Sequence, residues 1–66
     1  MEIKEIRELT PAELEETLAA NRQKLFELNR KKAVGQLEHP EEIRVVRKTI
    51  AKLETVKRER ALQIAR

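Results

Sequence analysis

The sequence contains no cysteine, serine, aspartate, tyrosine or tryptophan. Without cysteine it has no disulfides, no zinc–thiolate site and no thiol chemistry. Nucleophilic catalysis would have to rest on Thr, Lys or Glu, and the one histidine, His39, has no aspartate to orient it. One histidine cannot form a metal-binding cluster, and one glycine, Gly35, cannot form a phosphate-cradling loop. No enzyme, metal, cofactor or small-molecule substrate is therefore expected. No apolar run approaches the ~18 residues that would span a bilayer. Residues 1–8 alternate charge with Ile, unlike a secretory signal, so a cytosolic protein without membrane contact is expected.

What the chain does have is charge. Charged residues make up 41% of its 66 positions, against 2% aromatics. The formal charge of +3 is unevenly spread: −3 over residues 1–29, +3 over 30–32, −3 over 33–42 and +6 over 43–66. A basic C-terminal half points to a polyanionic partner, nucleic acid first. The length allows one domain, 1–66, and a chain this short rarely builds a core with much surplus stability. A partner is expected on that ground too.

Thr10-Pro11-Ala12-Glu13 reads as a helix start. Thr10 is the N-cap, Pro11 takes the first helical position, and Glu13 completes a capping box. No breaker follows until Gly35, which stands where a helix C-cap needs a left-handed residue. Pro40 reopens a helix with Glu41 and Glu42 in its first turn. The pattern predicts an all-α fold: a short helix over about 2–8, long helices over about 11–34 and 40–65, and a turn over 35–39. Apolar residues share one stripe in each long helix: Leu14, Leu18, Leu25 and Leu28, then Ile43, Val46, Ile50 and Leu53. Asn21 and Lys32 interrupt the first stripe. Lys57, Arg60 and Ile64 continue the second, so that seam turns polar. Two equal helices joined by a short turn must lie antiparallel as a hairpin. The short N-terminal helix, with Ile3, Ile6 and Leu9, should fold back near Val56.

With the second seam centred near Ile50, Arg44, Arg47, Lys48, Ala51, Thr55 and Arg58 fall together on another side. Four cations surround two small residues, an arrangement that lets a phosphate backbone approach and be gripped without reading bases. The plainer reading is a solvated face, with Glu54 pairing to Arg58 four residues on. Arg30, Lys31 and Lys32 complement the helix dipole or grip phosphate beside the turn. Phe26, flanked at seven-residue steps by Ala19 and Ala33, packs at the edge of the seam or stands out as an anchor for a protein or a base. His39 reads as a weak cap or a loop contact.

The order Glu8-Leu9-Thr10-Pro11-Ala12-Glu13-Leu14, Lys24-Leu25-Phe26-Glu27-Leu28, Gly35-Gln36-Leu37-Glu38-His39-Pro40 and Ile43-Arg44-Val45-Val46-Arg47-Lys48-Thr49-Ile50-Ala51-Lys52-Leu53-Glu54-Thr55-Val56-Lys57-Arg58-Glu59-Arg60 resembles the universal large-subunit ribosomal protein twenty-nine family, bacterial type. The resemblance covers nearly the whole chain. It implies a structural, rRNA-binding ribosomal protein of the cytoplasmic large subunit, placed near the peptide-tunnel exit. The implied neighbour is large-subunit protein twenty-three, at the rim where signal recognition particle and trigger factor dock. Carried over by position, Arg44, Arg47, Lys48, Thr55 and Arg58 contact RNA, as do Gln36 and the turn around it.

The chain departs from the family pattern at Asn29-Arg30-Lys31, where Arg, an aromatic or Met, and Gln are usual, and at His39, where Asn is common. Two other readings stand beside the ribosomal one. The first is a helical module that pairs with a protein, on the strength of the heptad-like seam and Phe26. The second is a redesigned stand-alone hairpin without RNA binding, on the strength of the missing Ser and Asp.

Overall fold

Thr10 starts the first long helix through its own side chain. In the computed structural model, which describes residues 1–64, the Thr10 hydroxyl accepts the Glu13 N–H at 3.2 Å, and Glu13 Oε1 accepts the Thr10 N–H at 3.0 Å. Both halves of the capping box are made, with Pro11 just inside. The Thr10 N–H, then the Thr10 hydroxyl, favour the charged form of Glu13 and hold its carboxyl below the ordinary carboxylate value.

Helix α1 spans Ile3–Arg7, α2 Pro11–Ala33 and α3 Glu41–Ile64. The bounds differ from expectation by about one residue at most ends; an end beyond Ile64 lies outside the described residues. Helix α2 closes on a Schellman turn. Gly35 takes φ +74°, its N–H donates to the Lys32 carbonyl at 3.2 Å, and the Gln36 N–H donates to the Lys31 carbonyl at 2.8 Å. A Cβ on Gly35 would touch nothing within 4 Å, so glycine is needed there for conformation and not for space. At the next helix, Pro40 stands just outside. Its carbonyl accepts the Ile43 N–H, and the His39 carbonyl accepts the Glu42 N–H. The His39 ring acts as a loop contact, 3.4 Å from Glu41 Oε1.

The helices make a rod of 47 × 17 × 16 Å. Two helices side by side leave each with a wide outer surface, so the core is a narrow seam in two clusters. Toward the turn, Leu28, Ile43 and Val46 are buried, with Leu25, Leu37 and Ile50 packed against them. Toward the open end, Ile6, Leu14, Leu18, Leu53 and Val56 are buried together. Helix α1 brings Ile6 onto α3 beside Val56, as its apolar spacing predicts.

The second seam differs from its expected line. Ile50 is only half-buried, while Thr49 and Val56 are buried. Helix α1 adds Ile6 as an apolar neighbour in the cluster that buries Val56. Thr49 tolerates burial because its hydroxyl donates to the Val45 carbonyl at 3.1 Å. Asn21, half-buried in the first seam, likewise donates to the Thr17 carbonyl at 2.8 Å. Lys57 leaves the seam to pair with Glu15 at 2.8 Å. Arg60 stays, half-buried, and donates to the carbonyls of Leu9 at 2.6 Å and Arg7 at 3.2 Å. These are carbonyls at the C-terminal end of α1, where a cation suits the helix dipole.

Candidate nucleic-acid interface

Burial of Val46, Thr49, Leu53 and Val56 fixes which side of α3 faces out. At 100° per residue the opposite side carries Arg44, Arg47, Ala51, Thr55 and Arg58, with Lys48 beside them. All six are exposed. The four cations do not all lie in one place, however. Arg44, Arg47, Lys48 and Ala51 line a groove of about 420 Å³ whose remaining walls are Lys32, Pro40 and Ile43. Lys32 comes from the last turn of α2, so the groove draws cations from both sides of the hairpin turn. Thr55 and Arg58 lie one and two turns farther along the same face, outside the groove. The Thr55 hydroxyl donates to the Ala51 carbonyl at 2.8 Å.

The ion pairs decide which cations are available. Glu54 does not pair with Arg58; it reaches across the seam to Arg22 at 2.5 Å. The reason is that Glu54 sits on the flank of α3 that borders α2, where an interhelical partner is nearer. Among the described residues, Arg7, Arg22, Arg30 and Lys57 take part in ion pairs, whereas Lys32, Arg44, Arg47, Lys48 and Arg58 do not, nor do the scattered Lys4, Lys24, Lys31 and Lys52; only in the groove do four unpaired cations converge. An unpaired cluster of cations beside a small residue is a surface that suits a polyanion.

The other sequence-derived candidates separate from this groove. Arg30, Lys31, Gln36 and Val34 surround a second depression, of about 390 Å³, at the turn. Arg30 is exposed and lies 3.6 Å from Glu27, so a neighbouring carboxylate already balances part of its charge. Phe26 does not pack at the seam edge: 62% of its surface is exposed. Sequence reasoning missed Pro40 and Ile43 as groove walls. The signal for Ile43 was its place directly before Arg44, at the rim of the apolar stripe. Among the described residues no cluster of acidic, His or Cys side chains forms a metal site, and no helix is long and apolar enough to cross a membrane.

The family model of the ribosomal L29 protein matches residues 4–60. The chain belongs to that family. It is 51% identical over 63 residues to the large ribosomal subunit protein uL29 of Staphylococcus aureus (strain JH9), which covers 96% of this chain and 91% of that protein. The uL29 of Staphylococcus carnosus (strain TM300) matches to the same extent. As a member of the L29 family this is a structural ribosomal protein and not an enzyme, and its place is the ribosome. The matched span includes every groove residue, the Gly35 turn and Arg60.

Proposed function

We propose that this member of the ribosomal L29 family is a constituent of the large subunit that holds large-subunit ribosomal RNA by its phosphates. The groove of Lys32, Arg44, Arg47, Lys48 and Ala51 makes the grip, and Thr55 and Arg58 extend it along α3. The turn residues Lys31 and Gln36, with Arg30, form a second contact. The single observation that carries the reading is that these groove cations have no carboxylate partner among the described residues, although 41% of the chain is charged. The proposed setting is the rim of the peptide-tunnel exit beside large-subunit protein twenty-three, where signal recognition particle and trigger factor dock; the resemblance to the family supports it.

The test is the salt dependence of binding to large-subunit ribosomal RNA. Arg47→Ala lowers the magnitude of the logarithmic salt slope by roughly 0.7–0.9, the amount for one lost phosphate contact. Ala51→Glu weakens binding more, because it adds bulk and an anion at the closest approach. Arg22→Ala, which removes an already paired cation, leaves the slope where it was. Parent-like binding by both Arg47→Ala and Ala51→Glu overturns the reading. The position at the exit rim is tested by cross-linking in assembled subunits, and absence of a link to protein twenty-three rejects it.

A further inference from the structure

Phe26 is the one aromatic residue of the chain, and it belongs to neither buried cluster. Its position follows from the bridge between Arg22 and Glu54. Phe26 lies one turn from Arg22 toward the turn of the hairpin, on the same side of α2. In an antiparallel pair the matching step on α3 runs from Glu54 to about Ile50. Phe26 therefore stands level with Ile50 and Ala51, on the flank to which Arg47 and the groove also open. Its neighbours at seven-residue steps, Ala19 and Ala33, are exposed and small, so the ring is open to a flat ligand. The cations one turn away on either side, Arg22 and Arg30, are balanced by Glu54 and Glu27. The ring is thus an apolar, nearly neutral platform less than two turns of α2 from Lys32, the residue that α2 contributes to the groove.

We propose that Phe26 stacks an unpaired base of the same RNA whose backbone occupies the groove. This deepens the reading above and rests on it. A phosphate chain held at Arg47 and Lys32 keeps its attached bases within reach of the flank, and a single ring suffices for a single extruded base. A protein surface suits the place less well. One ring bordered by Arg22, Gln23, Asn29 and Arg30 offers little apolar area to a protein surface.

The experiment compares two synthetic RNA duplexes of equal length, one continuous and one with a single bulged adenosine, bound to the full chain at two salt concentrations. The parent should prefer the bulged duplex by about 5-fold or more, the scale of one base–aromatic stack. Phe26→Ala should bind both duplexes alike and keep the parent's salt slope, and Phe26→Trp should keep the preference. Because Phe26 is exposed, circular dichroism should show both variants as helical as the parent. No preference in the parent, with binding otherwise intact, overturns the stacking and leaves the phosphate grip standing. The same holds if Phe26→Ala keeps the preference but is lost from assembled subunits, which would assign the ring to a protein neighbour. Failure to bind either duplex overturns the phosphate grip, and the stacking with it.

Discussion

Over residues 41–50 of α3, Arg44, Arg47 and Lys48 stand in solvent without ion pairs among the described residues. Beyond that stretch Lys52, Lys57 and Arg60 are all bound to the chain itself. Lys52 donates to the Met1 carbonyl at 3.2 Å, Lys57 pairs with Glu15, and Arg60 closes the end of α1. The buried clusters follow the same division. Five residues from three helices pack at the open end, and three residues from two helices pack near the turn. Where α1 adds a third layer, carbonyls and carboxylates of the chain take up Lys52, Lys57 and Arg60, and Arg58 alone among the described cations of that stretch stays unpaired. Where only two helices meet, the cations remain for a partner. The open end thus carries most of the packing, and the turn end most of the unpaired cations of α3.

The largest test of that division is truncation of the two seams. Leu53 is fully buried among three helices. Leu53→Ala should cost about 3–5 kcal/mol and unfold much of so small a protein, read by thermal or urea melting. Leu25 is only half-buried at the two-helix end. Leu25→Ala should cost about 1–2 kcal/mol, below the usual range for a fully buried leucine. Equal losses would mean that the two ends are equally packed.

A smaller effect is expected at the latch. Arg60→Ala removes two charge-assisted hydrogen bonds to carbonyls at the end of α1 and should cost about 1–2 kcal/mol. The loss should be local. Amide exchange should rise in α1, while α2 and α3 stay protected and the RNA salt slope stays unchanged. A fall in the slope would place Arg60 in the binding surface and erase the contrast.

The smallest effect is the pH response of the α2 start. Glu13 has a lowered folded value, so its contribution is fully present above the unfolded carboxylate value and is lost as pH falls through the folded one. Amide exchange in the first turn of α2 should increase on acidification through that window. Glu13→Gln should abolish the response, since no carboxyl is left to titrate, whereas Thr10→Ala should only weaken it, because the Thr10 N–H, the larger cause of the shift, is kept.

Much of the fold was legible before any coordinates. Thr10, Pro11, Glu13, Gly35 and Pro40 act through local chemistry, so their residue types alone mark where the helices start and stop. The leucines of α2 and Val46 and Leu53 of α3 repeat at helical spacing, which sets the hairpin. The common face of Arg44, Arg47 and Lys48 was visible as well, because it lies within two turns of one helix, but not that these cations are left without ion pairs. Tertiary structure decided the rest. Whether Val56 is buried depends on where α1 docks, and no spacing within α3 contains that. Whether Glu54 takes Arg58 or Arg22 depends on which partner is nearer across the seam. Lys32 joins the groove only because the turn returns the chain beside the end of α2, and Phe26 is left in the open because the seam lies on the other side of its helix. Helix signals are encoded in neighbouring residues, whereas the partners of a side chain are set by contacts between segments far apart in the chain.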